Sequence, residues 1–249
     1  MLTHITRNVK GKHMRIKFGR LVSIDDRDKL YPVSAVLHTP PDIPNKYWWA
    51  EGWWGNQGSS QMCVAYSWSH WIEDGPVIQD VIYGRTRPMF DVTQFYDACQ
   101  ARDPWEGNSY DGTSVRAGAK ILKTLEVISE YRWANSLQDV IDTLLMLGPM
   151  VVGTKWYKGM YTPDRKGMIS PTGRQSGGHA YIIDGVDKIN RVFRIKNSWG
   201  RNWGKKGFAF ITFDDFESLL HDAGEACIAF ENKMYDIPLI EDLPPPINP

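Results

Sequence analysis

The sequence predicts an α+β fold in which a helical lobe is followed by an antiparallel β-barrel-like lobe. In the first half of the chain, four segments have the apolar spacing, or the lack of Gly and Pro, that is typical of helices. From Met150 onward the sequence changes to short β-rich runs separated by Gly and Asn. At 249 residues the chain is long enough for two small lobes that share an interface, so a cleft is expected between them.

Residues 1–45 are predicted to be an extended lead-in that wraps onto the body of the protein. They show little helical periodicity and contain four prolines: Pro32, Pro40, Pro41 and Pro44. This composition does not fit a long inhibitory propeptide with helices of its own. The basic stretch at residues 7–20 is broken by apolar residues, so we interpret it, like residues 201–206, as a solvated face rather than a binding patch.

Residues 46–148 are predicted to form the helical lobe. Residues 63–74 contain no Gly or Pro and end at Gly75, which predicts a helix with Cys63 at its amino end. Apolar residues at three- and four-residue spacing predict three more helices, at residues 91–102, 114–125 and 136–147.

Residues 149–232 are predicted to form the β lobe. Their β-rich runs are at residues 150–153, 180–186, 192–195, 208–212 and 226–230. Short runs that alternate with turn residues indicate an antiparallel sheet or a small barrel. The Pro-rich residues 233–249 are interpreted as a C-terminal strap or a frayed end.

Charge and composition argue against several functional classes. Lys plus Arg and Asp plus Glu each total 29, so a net charge of zero gives no bulk attraction to nucleic acid or anionic lipid. Neither a signal peptide nor a run of roughly 18 apolar residues is present, so no membrane partner is expected. Three cysteines are an odd and small number for a secreted protein. We therefore expect a cytoplasmic protein in a reducing compartment. Association with a virion is also compatible with this composition. The sequence leaves the oligomeric state open.

Cys63 and His179 form the first part of a candidate catalytic set. A thiol attacks a carbonyl as a thiolate, and the amino end of a helix lowers the thiol pKa through unpaired backbone N–H groups. His179 follows two glycines that leave its flank uncovered, and it is predicted to open a strand at the lobe boundary, where it can act as a base. Taken singly, each residue also fits a structural role, Cys63 as a small buried apolar residue and His179 as a structural histidine.

Asn197 and Gln57 complete the set. Asn197 is a candidate to fix the tautomer of the imidazole, and Trp199 to shield their hydrogen bond from water. Gln57, six residues before the thiol, is a candidate donor to a developing oxyanion beside the Cys63 backbone N–H. The structural alternatives are a turn at residues 197–200 and a surface glutamine at position 57. The catalytic interpretation of the four residues is favoured because they occur together, in an order that suits a cleft between two lobes.

Three sequence blocks resemble the papain-like cysteine peptidases. They are Gln57-Gly58 through Cys63-Val64-Ala65-Tyr66-Ser67, Gly178-His179-Ala180, and Lys196-Asn197-Ser198-Trp199-Gly200. The resemblance covers most of the chain between residues 50 and 232, and it is strongest to bacterial or phage members without a propeptide or disulfides. It implies the papain-like two-lobe fold, with Cys63 as nucleophile, His179 as general base and acid, Asn197 as orienter and Gln57 as oxyanion donor.

The same resemblance implies substrate-binding residues and a thiol state. Gly112 would pair through its backbone with a bound peptide strand, Gly178 would lie beside the substrate, and Trp199 would cover the catalytic hydrogen bond. Ser60 stands where secreted relatives carry a half-cystine, and Cys99 matches another half-cystine for which no partner is found. Unbridged thiols are therefore expected.

The predicted function is hydrolysis of peptide bonds in peptide or protein substrates, through a thioester acyl-enzyme on Cys63 in one catalytic unit. Cys63 and His179 are expected to face each other across the cleft as an ion pair. The chemistry needs no cofactor, and no Cys and His pairs at ligand spacing indicate a metal site.

Two alternatives stay open: a peptidoglycan-cleaving amidase or endopeptidase of the lysin type, and a catalytically silent binding protein. The binding protein would use the aromatic residues 47–54 as its contact surface, for which packing at the lobe interface is the structural alternative.

Overall fold

The structure of the chain is a computed structural model that describes residues 5–9, 12–23, 25–38, 43–49, 52–75, 90–106, 110–232 and Leu243. The α+β architecture is the predicted one, with helices packed against an antiparallel sheet. The Pro-rich strap predicted for residues 233–249 lies outside the described residues apart from Leu243.

Helices form where the apolar spacing predicts them. The described α-helices are α1 (Cys63–Asp74), α2 (Val92–Gln100), α3 (Val115–Thr124), α4 (Leu137–Met146) and α5 (Phe213–His221). The first four confirm the predicted helices to within two residues at each end, because Asp91, Ser114 and Ser136 cap α2, α3 and α4 by accepting hydrogen bonds from first-turn N–H groups. The helix α5 is additional. Within the described part of the chain, no helix has the length and apolarity to cross a bilayer.

The strands form one hairpin and one large sheet. The hairpin consists of β1 (Ile5–Val9) and β2 (Lys12–Ile16). The sheet contains β3 (Lys46–Trp48), β4 (Ile128–Trp133), β5 (Met150–Tyr157), β6 (Gln175–Asp187), β7 (Val192–Lys196), β8 (Phe208–Thr212) and β9 (Glu225–Glu231). Its order is β4-β9-β5-β6-β7-β8, and β3 pairs with β6. The five predicted β runs are confirmed, whereas two strands of the sheet are missed: β3, and β4, in which Ser129, Glu130 and Arg132 interrupt the apolar character.

The start of β6 differs from the prediction. The strand begins at Gln175 rather than at His179, because Gly177 and Gly178 pair with Trp156 and Lys155 of β5. Glycine is a poor strand former, but its lack of a side chain suits a place where another part of the chain approaches closely. His179 therefore lies inside a paired strand, opposite Thr154 of β5.

Two hydrophobic cores lie on opposite faces of the sheet, because successive strand residues point to opposite sides. Val151 and Ala180 belong to the core that includes α1, α2 and α3. Val152 and Tyr181 belong to the core that includes α4 and α5. Since α4 packs in the second core, the two cores do not divide at residue 148, where the helical lobe was predicted to end.

A buried ion pair joins the carboxyl end of α1 to the end of β7. Lys196 Nζ lies 2.9 and 2.7 Å from the two carboxylate oxygens of Asp74, and both side chains are 0 % exposed. The same ammonium group donates to the carbonyl of Trp53 at 2.9 Å and lies 4.6 Å from the centre of the Trp54 ring. Trp53 and Trp54 thus pack between α1 and β7, which agrees with the packing alternative for these two residues, whereas Tyr47 at the start of the aromatic run is exposed.

Replacing Lys196 by Met should destabilise the fold by about 3–5 kcal/mol, because Asp74 would remain buried without its cation. The free energy of unfolding in urea measures this loss. The double variant Lys196→Met and Asp74→Asn should regain part of it, since the amide oxygen can still accept from the Gly52 N–H. As a control, Lys29→Met removes an exposed pair with Asp26 and should change stability by less than about 1 kcal/mol. Equal losses from the two single variants would contradict the role of the buried pair.

Candidate active site

Cys63 is the first residue of α1, as predicted, and its side chain is 0 % exposed. Its thiol lies close to the backbone N–H groups of Ala180, Gly19 and Val64, which lower its pKa. Ala180 directly follows His179, so the structure brings the thiol and the histidine strand together. Burial nevertheless raises the pKa of Cys63 above its usual value, and the three N–H groups offset only part of that effect.

His179 is held in one tautomer by Asn197. The Nε2 atom lies 2.9 Å from Asn197 Oδ1, and the same oxygen accepts from the Ser198 N–H at 2.8 Å. Because the backbone N–H identifies this atom as the amide oxygen, His179 Nε2 must be the donor. The lone pair of the neutral imidazole is therefore on Nδ1, which has no hydrogen-bond partner among the described residues. The ring is oriented for Nδ1 to accept a proton.

Aromatic rings enclose the imidazole. The centroid of Trp199 is 5.0 Å from that of His179, and the centroid of Trp156 is 4.8 Å away. Trp199 lies against the histidine ring, whereas Trp156 on β5 has no motif that would identify it in the sequence. Burial lowers the pKa of His179 to about 4, although the hydrogen bond that His179 donates to Asn197 works in the opposite direction.

Gln57 is fixed by hydrogen bonds from both its side-chain amide and its backbone. Its Oε1 accepts from Ser198 Oγ at 2.5 Å, and its backbone N–H donates to the Ser198 carbonyl at 2.8 Å. Its Nε2 donates to the carbonyls of Ser60 at 2.9 Å and Lys17 at 3.2 Å. Ser198, which the sequence did not single out, therefore couples Gln57 to the Asn197 loop.

Residues 17–21, here called the cleft segment, lie next to Cys63 in the groove between Thr113 on one wall and Gly178 on the other. Gly19 accepts from the Thr113 N–H at 2.8 Å, and the Leu21 N–H donates to the Thr113 carbonyl at 2.9 Å. On the other wall, the Arg20 N–H donates to the Gly178 carbonyl at 3.1 Å. The segment is thus bound by main-chain hydrogen bonds on both sides, in the manner of an added strand.

Side chains and glycines complete the fit of the cleft segment. The Phe18 ring lies 5.7 Å from His179 and 6.4 Å from Trp199, edge to face. A Cβ on Gly178 would lie 2.4 Å from the Arg20 carbonyl oxygen, and one on Gly19 would lie 1.7 Å from the Gln61 carbonyl oxygen. These contacts leave no space for a side chain at either glycine.

Gly112 was predicted to pair with a bound peptide, but the residue that pairs with the cleft segment is Thr113. The Gly112 N–H donates to the hydroxyl of Tyr96 at 2.8 Å, and its carbonyl accepts from Gln100 at 3.1 Å. Both of its backbone groups are therefore already used. Its own contribution is space, because at φ +102° a Cβ would lie 2.3 Å from the Gly19 carbonyl oxygen.

The cleft segment changes the electrostatics of the site. Cys63 and His179 are both 0 % exposed, so burial raises the thiol pKa and lowers the imidazole pKa. Both shifts favour the neutral forms, and the expected ion pair is disfavoured in this closed state. The interpretation of residues 7–20 as a solvated face is also wrong at Arg20, whose side chain is 2 % exposed and paired with Glu225.

Cys99, Cys227 and His70 are buried residues outside the proposed catalytic set. Cys63, Cys99 and Cys227 are all buried and unbridged. His70 on α1 is buried and accepts from the Gly55 N–H at 2.9 Å through Nε2. In the part of the chain that the structure describes, no group of three or more His, Cys, Asp or Glu side chains could hold a metal ion.

Comparison with known proteins finds one matching family model and two kinds of relatives. The family model described as papain family cysteine protease matches residues 54–222. The chain is also 35 % identical to the cathepsin B-like cysteine proteinase 3 of Ostertagia ostertagi over 120 residues, which cover 43 % of this chain and 68 % of that protein.

Several solved structures share the fold. Xylellain, a cysteine protease from Xylella fastidiosa, is 19 % identical with a TM-score of 0.65, and the match covers 90 % of this chain and all of that one. The procathepsin B S9 of Trypanosoma congolense is 14 % identical with a TM-score of 0.63, over 86 % of this chain and 87 % of that one. The bromelain protease of Ananas comosus is 16 % identical with a TM-score of 0.59, over 76 % of this chain and all of that one. At these identities the likeness concerns the fold.

Replacing Gly19 by Ala should open the cleft, because the new Cβ would be placed 1.7 Å from the Gln61 carbonyl oxygen. Alkylation of Cys63 by iodoacetamide should then accelerate on the order of tenfold, as the open population grows. Mass spectrometry of the labelled peptides measures this rate. Val22→Ala, which shortens an exposed side chain just beyond the segment, serves as the control and should leave the rate unchanged. Equal rates in all three proteins would show that the segment does not protect the thiol.

Proposed function

The chain belongs to the papain family of cysteine proteases, and we propose that Cys63, His179, Asn197 and Gln57 carry out its hydrolysis of peptide bonds. The observation that carries this assignment is the chain of hydrogen bonds from Gln57 through Ser198 to Asn197 and His179. It orients two groups: the Gln57 amide, whose Nε2 donates to the Lys17 carbonyl, and the imidazole, whose Nδ1 lone pair has no partner among the described residues. These are the groups that acyl transfer to a thiol requires.

In the proposed reaction, the proton of the Cys63 thiol moves to His179 Nδ1 and the thiolate attacks the carbonyl carbon of the scissile bond. The C–S bond forms as the carbonyl electron pair moves to the oxygen. Gln57 Nε2 and the Cys63 backbone N–H donate to this oxyanion. When the carbonyl reforms, the C–N bond breaks and the imidazolium gives its proton to the leaving amine. Water, deprotonated by His179, then hydrolyses the thioester and regenerates the thiol.

The cleft segment supports the role of Gln57. The carbonyl oxygen of Lys17 already accepts from Gln57 Nε2 at 3.2 Å, so a peptide carbonyl fits against this donor. Asn197 has a separate task, since it keeps the proton on Nε2 and leaves Nδ1 for the thiol. Trp199 and Trp156 support that task by covering the ring.

The direction of the cleft segment explains why the proposed active site does not cleave it. Because the imidazole protonates the leaving amine, the leaving half of a substrate lies on the side of His179 and Trp199, where Phe18 packs. The acyl half then lies toward Thr113, where Leu21 pairs. A substrate runs from its acyl half to its leaving half. The segment runs from Phe18 to Leu21, which is the reverse direction.

We also propose that this protease is of the bacterial or phage type without disulfides and works in a reducing compartment, the cytoplasm. Two observations support this part of the proposal. All three cysteines are unbridged and buried, and the similarity to the bacterial protease xylellain extends over 90 % of this chain.

Cys63→Ala should abolish cleavage of casein and of peptide substrates, because no thioester can form. Gln57→Ala should lower kcat by about 10²–10³-fold with little change in KM, since its amide acts on the oxyanion. Both are measured in the Gly19→Ala background, where the cleft is open. Gln138→Ala on the exposed face of α4 is the matched control and should retain full activity.

Zymography on casein and on peptidoglycan separates the main proposal from the lysin alternative. Clearing of casein alone is the expected result. Full casein cleavage by Cys63→Ala would overturn the assignment of the nucleophile, and clearing of peptidoglycan alone would overturn the substrate class.

A further inference from the structure

We propose that Asp103 is a positioning residue for the peptidase reaction, because it holds the main chain of Thr113 where the acyl half of a peptide pairs. The inference rests on the proposed function and names a residue that prepares the same groove for its substrate. Asp103 and Thr113 both lie in the loop between α2 and α3. Thr113 binds the cleft segment through its N–H and its carbonyl, and a bound peptide would use the same two groups.

The carboxylate of Asp103 binds the side chain of Thr113. Its Oδ2 accepts from Thr113 Oγ1 at 2.7 Å, and Thr113 is 0 % exposed. A single stiff torsion separates the threonine hydroxyl from its Cα, since the side chain is branched at Cβ. Fixing the hydroxyl therefore also fixes the direction of the Thr113 N–H and carbonyl.

The other carboxylate oxygen holds the same loop at Tyr110. Oδ1 of Asp103 accepts from the Tyr110 hydroxyl, and it also accepts from the Trp105 N–H at 3.3 Å. Burial, together with the hydrogen bond to Asp103, raises the pKa of Tyr110, so the phenol keeps the proton that it donates. One carboxylate thus joins two hydroxyls, those of Tyr110 and Thr113, through charge-assisted hydrogen bonds, which are stronger than bonds between neutral groups.

Hydrogen bonds, rather than covalent links, determine where this loop lies. All three cysteines of the chain are unbridged, so no disulfide fixes it. Gln100 at the end of α2 supports the main chain just before Thr113, because its Nε2 donates to the carbonyls of Tyr110 at 3.0 Å and Gly112 at 3.1 Å. The bond from Asp103 adds a support at the side chain of the pairing residue itself.

Loss of this carboxylate should weaken substrate binding more than the chemical step. Without Asp103, the hydroxyl of Thr113 would be buried without its acceptor, and the loop would shift or loosen to expose it. Cys63, His179 and Gln57 lie on other elements and keep their own hydrogen bonds. KM for a peptide should therefore rise, with little change in kcat.

The test removes one peptide N–H at a time. Acetylated tripeptides with a coumarylamide leaving group have the N–H of each residue replaced in turn by an ester oxygen, and kcat/KM is measured from coumarin release. The full-length chain carries Gly19→Ala, which opens the cleft. At the position that pairs with Thr113, the amide should exceed the ester by about 3–10-fold. Adding Asp103→Ala should bring this ratio close to one and raise KM for the amide.

Matched variants assign the effect to the bond with Thr113. Asp103→Asn keeps an oxygen that accepts from a hydroxyl and should keep most of the ratio, whereas Thr113→Val removes only the hydroxyl and should lower it. Thr113→Val should add nothing to Asp103→Ala, since both remove the same bond. Asp97→Ala deletes an exposed carboxylate of α2 and is the control that should keep the ratio. If Asp103→Ala does not fold, Thr113→Val alone decides the result.

A second measurement does not need peptidase activity. Thr113 also binds the cleft segment, so Asp103→Ala in the chain with its native Gly19 should accelerate alkylation of Cys63 by iodoacetamide by a few-fold. Asp97→Ala should leave this rate unchanged. The alkylation rate reports on the Thr113 wall even in a protein that cleaves no peptide.

The outcomes separate this inference from the function on which it rests. An amide to ester ratio that persists in both Asp103→Ala and Thr113→Val would overturn the positioning role and leave the peptidase assignment intact. An equal loss of the ratio in Asp97→Ala would do the same, because the effect would then not be specific to Asp103. Cleavage by the Gly19→Ala protein no faster than by Cys63→Ala would overturn both proposals.

Discussion

The buried ion pair between Lys196 and Asp74 connects the helix that begins at Cys63 to the strand that ends just before Asn197. Both side chains are fully buried, so neither charge can exchange its partner for water without a large loss of stability. The pair therefore fixes α1 on β7. With that contact in place, the loop after β7 holds Asn197 and Ser198 against His179 and Gln57. The geometry of the site therefore depends on the packing of α1 against β7 of the sheet.

A second constraint is the occupancy of the groove by the chain's own residues. The cleft segment excludes water from Cys63 and His179, and this burial favours a neutral thiol beside a neutral imidazole. Access and protonation are thus controlled by the same five residues. The segment is bound largely through main-chain hydrogen bonds and through Arg20, and in the substrate orientation proposed above it runs in the reverse direction and so presents no bond for cleavage. The groove and the segment fit each other because glycines stand at each close approach.

The sequence could predict those features of the fold, such as helix positions, that depend on residues close together in the chain. Capping residues such as Ser114 and Ser136 stand directly before the apolar periodicity of their helices, so four helices could be placed within two residues. The strand β4 could not be placed, because its polar residues reflect a half-buried edge of the sheet. Arg20 in a basic stretch resembles any solvated arginine, since its partner Glu225 is 205 residues away. Trp156 likewise acquires its role only through pairing across the sheet.

The sequence by itself determined the α+β class, the order of helices and strands, and the candidate residues Cys63, His179, Asn197 and Gln57, because periodicity, caps and short motifs are local properties of a chain. Only the tertiary structure decided that residues 17–21 fill the groove, that Thr113 rather than Gly112 pairs with them, and that Arg20 meets Glu225. These contacts join residues far apart in sequence, and their energies depend on burial, which exists only after the sheet and helices have packed.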